Sequence, residues 1–402
     1  MRSKEFRQLV GELARAGAAV EPRCPHTKEC GGCAFQDRDY ESQVVAKGRA
    51  MARLFAEANV AEIGYQAESF AVVPSPNPYV YRTRMDYVAT KGRFGLRARG
   101  KFNYIVELTT CHLIPPDAFA AAHAVWDRAN ELGLPDYNIR SHEGFLRYVV
   151  VRRSPDDSLL LAAVTSAGPY ESEMERLAET ALAQPGVVGF HWLLNDSLTD
   201  LSFGTPVRHW GVATLPMRAG TATLEVGPNT FFQNNVHLLG RLLDAVRAAV
   251  IEGGDNLTVV DLYGGVGTIA LHLAAHVGEV VCVEAVAESA ELAARNSVAN
   301  GAANVRAVNM DVLPYLREQP AGSCDVVVAD PPRTGLGPEV CAELLRIAAQ
   351  RIVYVSCNPL TLVEDLRALG AGYVLRSLTG YDMFPHTPHV EALAILDRQS
   401  HN

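Results

Sequence analysis

Cys357 ends an apolar run at residues 352–355 and is followed at once by Asn358 and Pro359, so a thiol sits where a strand gives way to a turn. A cysteine there is more often a small core residue than a nucleophile, and its chemistry rests on its neighbours. Asp330 heads Asp330-Pro331-Pro332-Arg333-Thr334-Gly335 at the end of another apolar run, where the paired prolines fix the backbone beside the carboxylate. Glu391 opens a third such run. Taken alone it reads as a solvated strand end. A thiol and two carboxylates at strand ends are together the parts needed for nucleophilic addition followed by proton removal.

A second group is built for binding. Asp261-Leu262-Tyr263-Gly264-Gly265-Val266-Gly267-Thr268 clusters glycines where a strand meets a helix, which lets backbone approach a ligand. Glu284 follows 23 residues after Asp261, at the end of the next strand, where a carboxylate accepts two ribose hydroxyls. The third glycine of a dinucleotide fingerprint is missing, so a ligand with one ribose is expected. S-adenosylmethionine fits, with Asp311, closing the third strand, placed toward its adenine.

The third group is Cys24-x5-Cys30-x2-Cys33, with Gly31 and Gly32 allowing a tight turn, and Cys111 is the one other cysteine in the N-terminal half. Four thiolates suit a structural zinc or an iron-sulfur cluster, and the spacing leaves both open, beside a bland set of unligated thiols. The five-residue gap and the fourth cysteine argue against a radical enzyme that leaves one iron open.

These residues need a frame. Apolar strands near 257–263, 279–284, 304–308, 324–329, 352–356, 373–378 and 391–396 alternate with helices, the pattern of a doubly wound, Rossmann-like α/β sheet. Ligands of such sheets bind at the carboxyl ends of strands, which brings Asp330 and Cys357, on the fourth and fifth, to one crevice. Ahead of it, short alternating segments with helices at 116–132 and 171–183 predict an α+β middle domain. A long helix at 43–58 and a shorter one from residue 6 are expected around the first cysteines, and another from Asn235 to 251. The expected domains are 1–75, 76–223 and 224–402.

Composition narrows the class. The 402 residues are 48% hydrophobic and 20% charged, with no apolar run long enough to span a bilayer and no secretory leader, so a cytoplasmic protein is expected. Cys282, Cys324, Cys341 and Cys357 lie inside apolar runs, as reduced intracellular thiols do. A net charge of −9 argues against coating nucleic acid. Locally the balance reverses: residues 81–107 hold seven basic side chains against two acids, interleaved with Tyr81, Tyr87, Phe94, Phe102 and Tyr104. That is either a solvated hairpin face or a docking surface for phosphates and bases.

The turn at 261–268, the Asp330-Pro331-Pro332-Arg333-Thr334-Gly335 stretch, Ser356-Cys357-Asn358-Pro359 with Thr361, and Pro385-His386-Thr387-Pro388-His389-Val390-Glu391 together resemble the RNA 5-methyluridine methyltransferase family, from about Cys24 to Leu396. The resemblance implies a [4Fe-4S] cluster on Cys24, Cys30, Cys33 and Cys111. It also implies that Gln233, Tyr263, Gly265, Thr268, Glu284, Asp311 and Asp330 surround the methyl donor and the uracil, with Phe231 near the flipped base. Some members carry an RNA-binding barrel ahead of the cysteines, whereas 23 residues precede Cys24 here. On that ground ribosomal RNA is expected ahead of transfer RNA, with no DNA and no membrane partner.

Carbon 5 of uracil is too weak a nucleophile to take a methyl group unaided. Addition of the Cys357 thiolate to carbon 6 supplies the missing electron density, and Glu391 then removes the carbon 5 proton. A strand end beside a helix N-terminus is expected to favour the thiolate, and Asp330 to hold the polar edge of the base. Two competing readings do without the thiol and glutamate together: an amino-group methyltransferase, and a non-catalytic RNA-binding or redox-sensing protein.

Overall fold

The computed structural model describes residues 1–58 and 70–399. Two helices open the chain, α1 (Ser3–Arg15) and α2 (Tyr40–Glu57). After β1 (Val72–Val73) come β2 (Arg84–Thr90), β3 (Arg93–Ala98) and β4 (Lys101–Glu107), then α3 (Pro116–Glu131), β5 (Leu146–Arg153), β6 (Leu159–Thr165), α4 (Glu171–Leu182), β7 (Val187–Leu194) and β8 (Thr205–Gly211). These strands, β1 excepted, form a seven-stranded sheet in the order β4-β3-β2-β5-β6-β7-β8. Helices α3 and α4 bury their apolar faces against one side of it, with Phe94, Phe119 and Trp126 in that core. The middle domain is therefore α+β. Its other face carries Tyr148, Val150 and Val164.

A short hairpin, β9 (Leu215–Ala219) and β10 (Ala222–Val226), leads to α5 (Leu239–Ile251). Strands β11 (Thr258–Leu262), β12 (Glu279–Glu284), β13 (Val305–Asn309), β14 (Val326–Ala329) and β15 (Arg351–Ser356) then alternate with α6 (Thr268–Leu273), α7 (Ala287–Ala299), α8 (Val312–Glu318), α9 (Gly337–Ile347) and α10 (Pro359–Leu369). The chain ends in β16 (Tyr373–Tyr381) and β17 (Glu391–Arg398). The eight-stranded sheet runs β1-β16-β17-β15-β14-β11-β12-β13, with β17 antiparallel to both neighbours. Central strands such as β14 are buried along their whole length, as parallel strands covered by helices on both faces must be.

One difference from the sequence reading has a local cause. The helix expected from Asn235 begins at Leu239, because the Asn235 carboxamide oxygen accepts from the amides of His237 and Leu238 at 3.0 and 3.1 Å and so caps the turn before it. Helices α1 and α2 pack on the C-terminal domain: Phe6, Val10, Ala50, Met51 and Phe55 share one hydrophobic core with Leu344 of α9 and with Leu362 and Leu366 of α10. Strand β1 extends that sheet at its edge, parallel to β16.

Candidate active site

Register brings the reactive side chains together. Antiparallel pairing sets Ser356 opposite Ala392, so one residue further on Cys357 faces Glu391. Parallel pairing sets Ala329 beside both Leu262 and Tyr354, which leaves Asp330 at the same sheet end. Three strands thus deliver one group each. The two turns are locked to one another, since Asn358 Nδ2 donates to the Arg333 carbonyl at 2.8 Å. Beneath them buried Asp365 accepts from the Leu336 amide at 2.8 Å and the Tyr354 hydroxyl at 2.6 Å.

Electrostatics correct one expectation. The helix N-terminus after Asn358 does not favour a thiolate: burial, reinforced by Glu391 and Asp330, pushes the Cys357 thiol up to about 12. Arg333 is the one cation acting the other way. Burial raises Asp330 to about 7, against a hydrogen bond from Gln233 Nε2 at 2.8 Å. Glu391 is 2% exposed, and burial with Asp330 nearby raises it well above the usual carboxylate range. Its Oε1 has no hydrogen-bond partner among the described residues. A buried, unpaired carboxyl oxygen facing a thiol is costly unless a ligand satisfies it.

On the other side of Asp330 lies a cleft lined by Phe231, Gln233, Tyr263, Gly265, Thr268 and Asp330 among others. The glycine turn has the shape a ligand needs. Gly265 and Gly267 take φ of +56° and +87°, and a Cβ on Gly264 would fall 2.4 Å from the Cys282 sulfur. Tyr263 adopts φ +61°, a strained conformation for a bulky residue and one that recurs at ligand sites. Glu284 braces this loop, accepting from Gly265 N at 2.9 Å and Val286 N at 2.7 Å. Asp311 lies at the next strand end as the residue before α8 and does not line the cleft. Phe231 is 61% exposed at the rim.

Cys24, Cys30, Cys33 and Cys111 are all buried and unbridged. They sit close enough for Cys24 and Cys111 to raise Cys30, and for Cys30 and Cys111 to raise Cys33. With burial as the larger cause, Cys30 reaches about 11 and Cys33 about 12. Among the described residues no three His, Cys, Asp or Glu side chains converge as a single metal ion would require. Donors do reach the sulfurs: Gln36 Nε2 lies 3.2 Å from Cys33 and the Gly32 amide 3.3 Å from Cys30.

The same segment grips the loop that carries Glu391. The Ala34 amide donates to the His386 carbonyl at 2.6 Å, and Gln43 accepts from the His386 amide at 3.1 Å. Lys47, fully buried, pairs with fully buried Asp382 and donates to the Phe384 carbonyl at 3.1 Å. Sequence reading gave no role to Lys47, Asp382, Arg333 or His389. A signal for Lys47 was present: it sits on the apolar stripe of α2 with Ala50, Met51 and Leu54, where a lysine needs a partner.

A glycine turn after the first strand, an acid at the end of the second and a parallel sheet with an antiparallel last strand define the class of S-adenosylmethionine-dependent methyltransferases. Residues 240–355 match the methyltransferase small domain, and residues 320–399 match the tRNA (Uracil-5-)-methyltransferase family. The chain is 32% identical to an uncharacterized RNA methyltransferase of Caldanaerobacter subterraneus, over 97% of this chain and 88% of that one. It is also 32% identical to the tRNA (uracil(54)-C(5))-methyltransferase of Pyrococcus abyssi, over 94% and 86%. The crystal structure of the Pyrococcus abyssi enzyme with S-adenosyl-L-homocysteine superposes with a TM-score of 0.76, at 30% identity over 91% of this chain and 86% of that one. The chain belongs to the RNA uracil-5-methyltransferase family, and S-adenosylmethionine is its methyl donor.

Proposed function

We propose that this enzyme methylates carbon 5 of a uridine in transfer RNA through a transient bond between Cys357 and carbon 6. The placement of Cys357 opposite Glu391, with Asp330 between the thiol and the glycine cleft, is the observation that carries the reading. The donor supplies a methyl group on a cationic sulfonium. Cys357 gives its proton to solvent and its sulfur adds to carbon 6, which places an electron pair on carbon 5 for the incoming methyl group. Glu391, which burial and Asp330 hold toward its neutral form, then acts in its ionised form to take the carbon 5 proton, the ring regains its double bond and the carbon–sulfur bond breaks. Asp330, held by Gln233, meets the polar edge of the ring. Because Cys357 rests as a neutral thiol that Arg333 alone does not ionise, the cationic sulfonium of the bound donor is the further positive charge available to favour the thiolate.

The choice of RNA departs from the ribosomal expectation. Relatives with a stated substrate, from three Pyrococcus species, are tRNA (uracil(54)-C(5))-methyltransferases of which this chain spans 94–98% of its own length. Mapping 5-methyluridine in transfer and ribosomal RNA from a strain lacking this gene tests it. Loss from transfer RNA is expected, and loss confined to ribosomal RNA would overturn it.

The four cysteines fit an iron-sulfur cluster by the chemistry of their donor set: four buried thiols, two of them receiving N–H groups, with Arg82 favouring ionised Cys33 and Cys111. A [4Fe-4S] cluster spreads its thiolates over a wider frame than the approximately 2.3 Å bonds of a single zinc ion, in keeping with thiols that gather without converging. Cys24, Cys30, Cys33 and Cys111 would hold it, joining the N-terminal segment to the chain just beyond β4.

A further inference from the structure

Given an RNA substrate, we propose that α1 and the tip of the β3–β4 hairpin are the two lips of a track for single-stranded RNA that leads to Cys357, with Arg7 binding a phosphate next to the target nucleotide and Phe102 stacking a base further along. The pocket at Cys357, about 650 Å³, is walled on one side by Ser3, Phe6 and Arg7 of α1 and on the other by Arg333 and His389. A larger groove of about 1620 Å³ shares Arg7 and His389 with it and continues past Gly31 and Gly32 to Arg99, Lys101 and Phe102. The two form one path. The larger groove's lining has five cations, Arg7, Arg82, Arg97, Arg99 and Lys101, against the single acid Asp86.

Arg7 is suited to an anion. It is exposed, makes no ion pair among the described residues, and its one hydrogen bond there is a 3.3 Å contact to the Ser3 carbonyl. The helix beneath it is fixed, because Phe6, Leu9, Val10 and Ala14 are in the core. Burial and the field of Arg333, Lys47, Arg7 and Arg82 hold His389 neutral, down to about 3, so positive potential is concentrated at the mouth. At the far end Phe102 is 58% exposed with the Arg97 guanidinium 4.1 Å above its ring, and Tyr104 is 46% exposed under Arg93 at 4.7 Å. Exposed rings backed by guanidinium groups are stacking platforms for unpaired bases. A uridine must leave its stack to reach Cys357, and its flanking nucleotides then need such a path.

The test is binding of a fluorescent oligouridine as a function of salt. Arg7→Ala and Lys101→Ala should each flatten the slope of log affinity against log salt by about 0.7, the value for one phosphate contact on a single strand. Phe102→Ala should weaken binding about tenfold without changing the slope. Arg176→Ala, on α4 against the opposite face of the seven-stranded sheet, should match the wild type. S-adenosylmethionine affinity by calorimetry, unchanged in all four, reports that each is folded. Wild-type slope and affinity in Arg7→Ala, Lys101→Ala and Phe102→Ala would overturn the track while leaving RNA methylation standing. A wild-type enzyme that neither binds oligouridine nor methylates any RNA would overturn the functional reading and the track together.

Discussion

Cys357 faces two carboxyl groups and one guanidinium in a buried site, and the balance among them sets how often the sulfur is ionised. Removing one carboxylate should favour the thiolate. Asp330→Asn is expected to speed alkylation of Cys357 by iodoacetamide at pH 8, and Arg333→Ala to slow it, both read by peptide mass spectrometry. Asp330 also carries a stability cost. Its folded value of about 7 lies above the ordinary 3.8, so the folded state binds the proton more tightly than the unfolded chain. The cost is absent below about pH 4, grows as pH rises and is complete above about pH 7. Asp330→Asn should therefore raise the melting temperature at pH 8 and do little at pH 4, while abolishing methylation. The sequence placed thiol, aspartate and glutamate at strand ends correctly. It hid the sign of the thiol's shift, because that depends first on burial of the strand end and then on Glu391 and Asp330 converging across strands far apart in the chain.

At the scale of elements, α2 behaves as part of the catalytic unit. Its Lys47 reaches into the sheet to pair with Asp382, nine residues ahead of Glu391, and Gln43 holds His386 between them. Lys47→Ala would leave a buried aspartate unpaired and is expected to destabilise the protein by about 3–5 kcal/mol. The double change Lys47→Met with Asp382→Leu should recover most of that loss, since apolar replacement of a buried pair is often neutral. Urea denaturation of the three proteins distinguishes a pair that specifies the loop from one that adds stability. The helices and all seven C-terminal strands were legible from their periodicity, which local apolar spacing encodes. What α1 and α2 pack against was not legible from periodicity, because an amphipathic face says that it is buried and not against what.

At the scale of the molecule, the cysteine group lies where the N-terminal segment meets the middle sheet: Gly31 N donates to the Arg97 carbonyl at 2.8 Å, and Arg99 donates to the Cys33 carbonyl at 2.6 Å. A cluster there would hold in place the wall of the groove that Gly31, Gly32, Arg97 and Arg99 line. After anaerobic reconstitution, Cys33→Ser and Cys111→Ser should each lose iron and acid-labile sulfide, measured by colorimetric assay. Full retention in both would remove the cluster from the account. Which RNA is bound was the least legible feature, since loop shape is read by surfaces assembled from distant segments, and the groove here gathers Arg7, Arg99 and Phe102 from two such segments.

The central claim is a covalent bond between Cys357 and uracil. Glu391→Gln, incubated with S-adenosylmethionine and unmodified transfer RNA, should accumulate a methylated RNA–protein adduct that survives denaturing electrophoresis and maps by mass spectrometry to the peptide holding Cys357. Adding Cys357→Ala should erase it. Release of methylated RNA at the wild-type rate from the Cys357→Ala enzyme, with no adduct in Glu391→Gln, would contradict the mechanism.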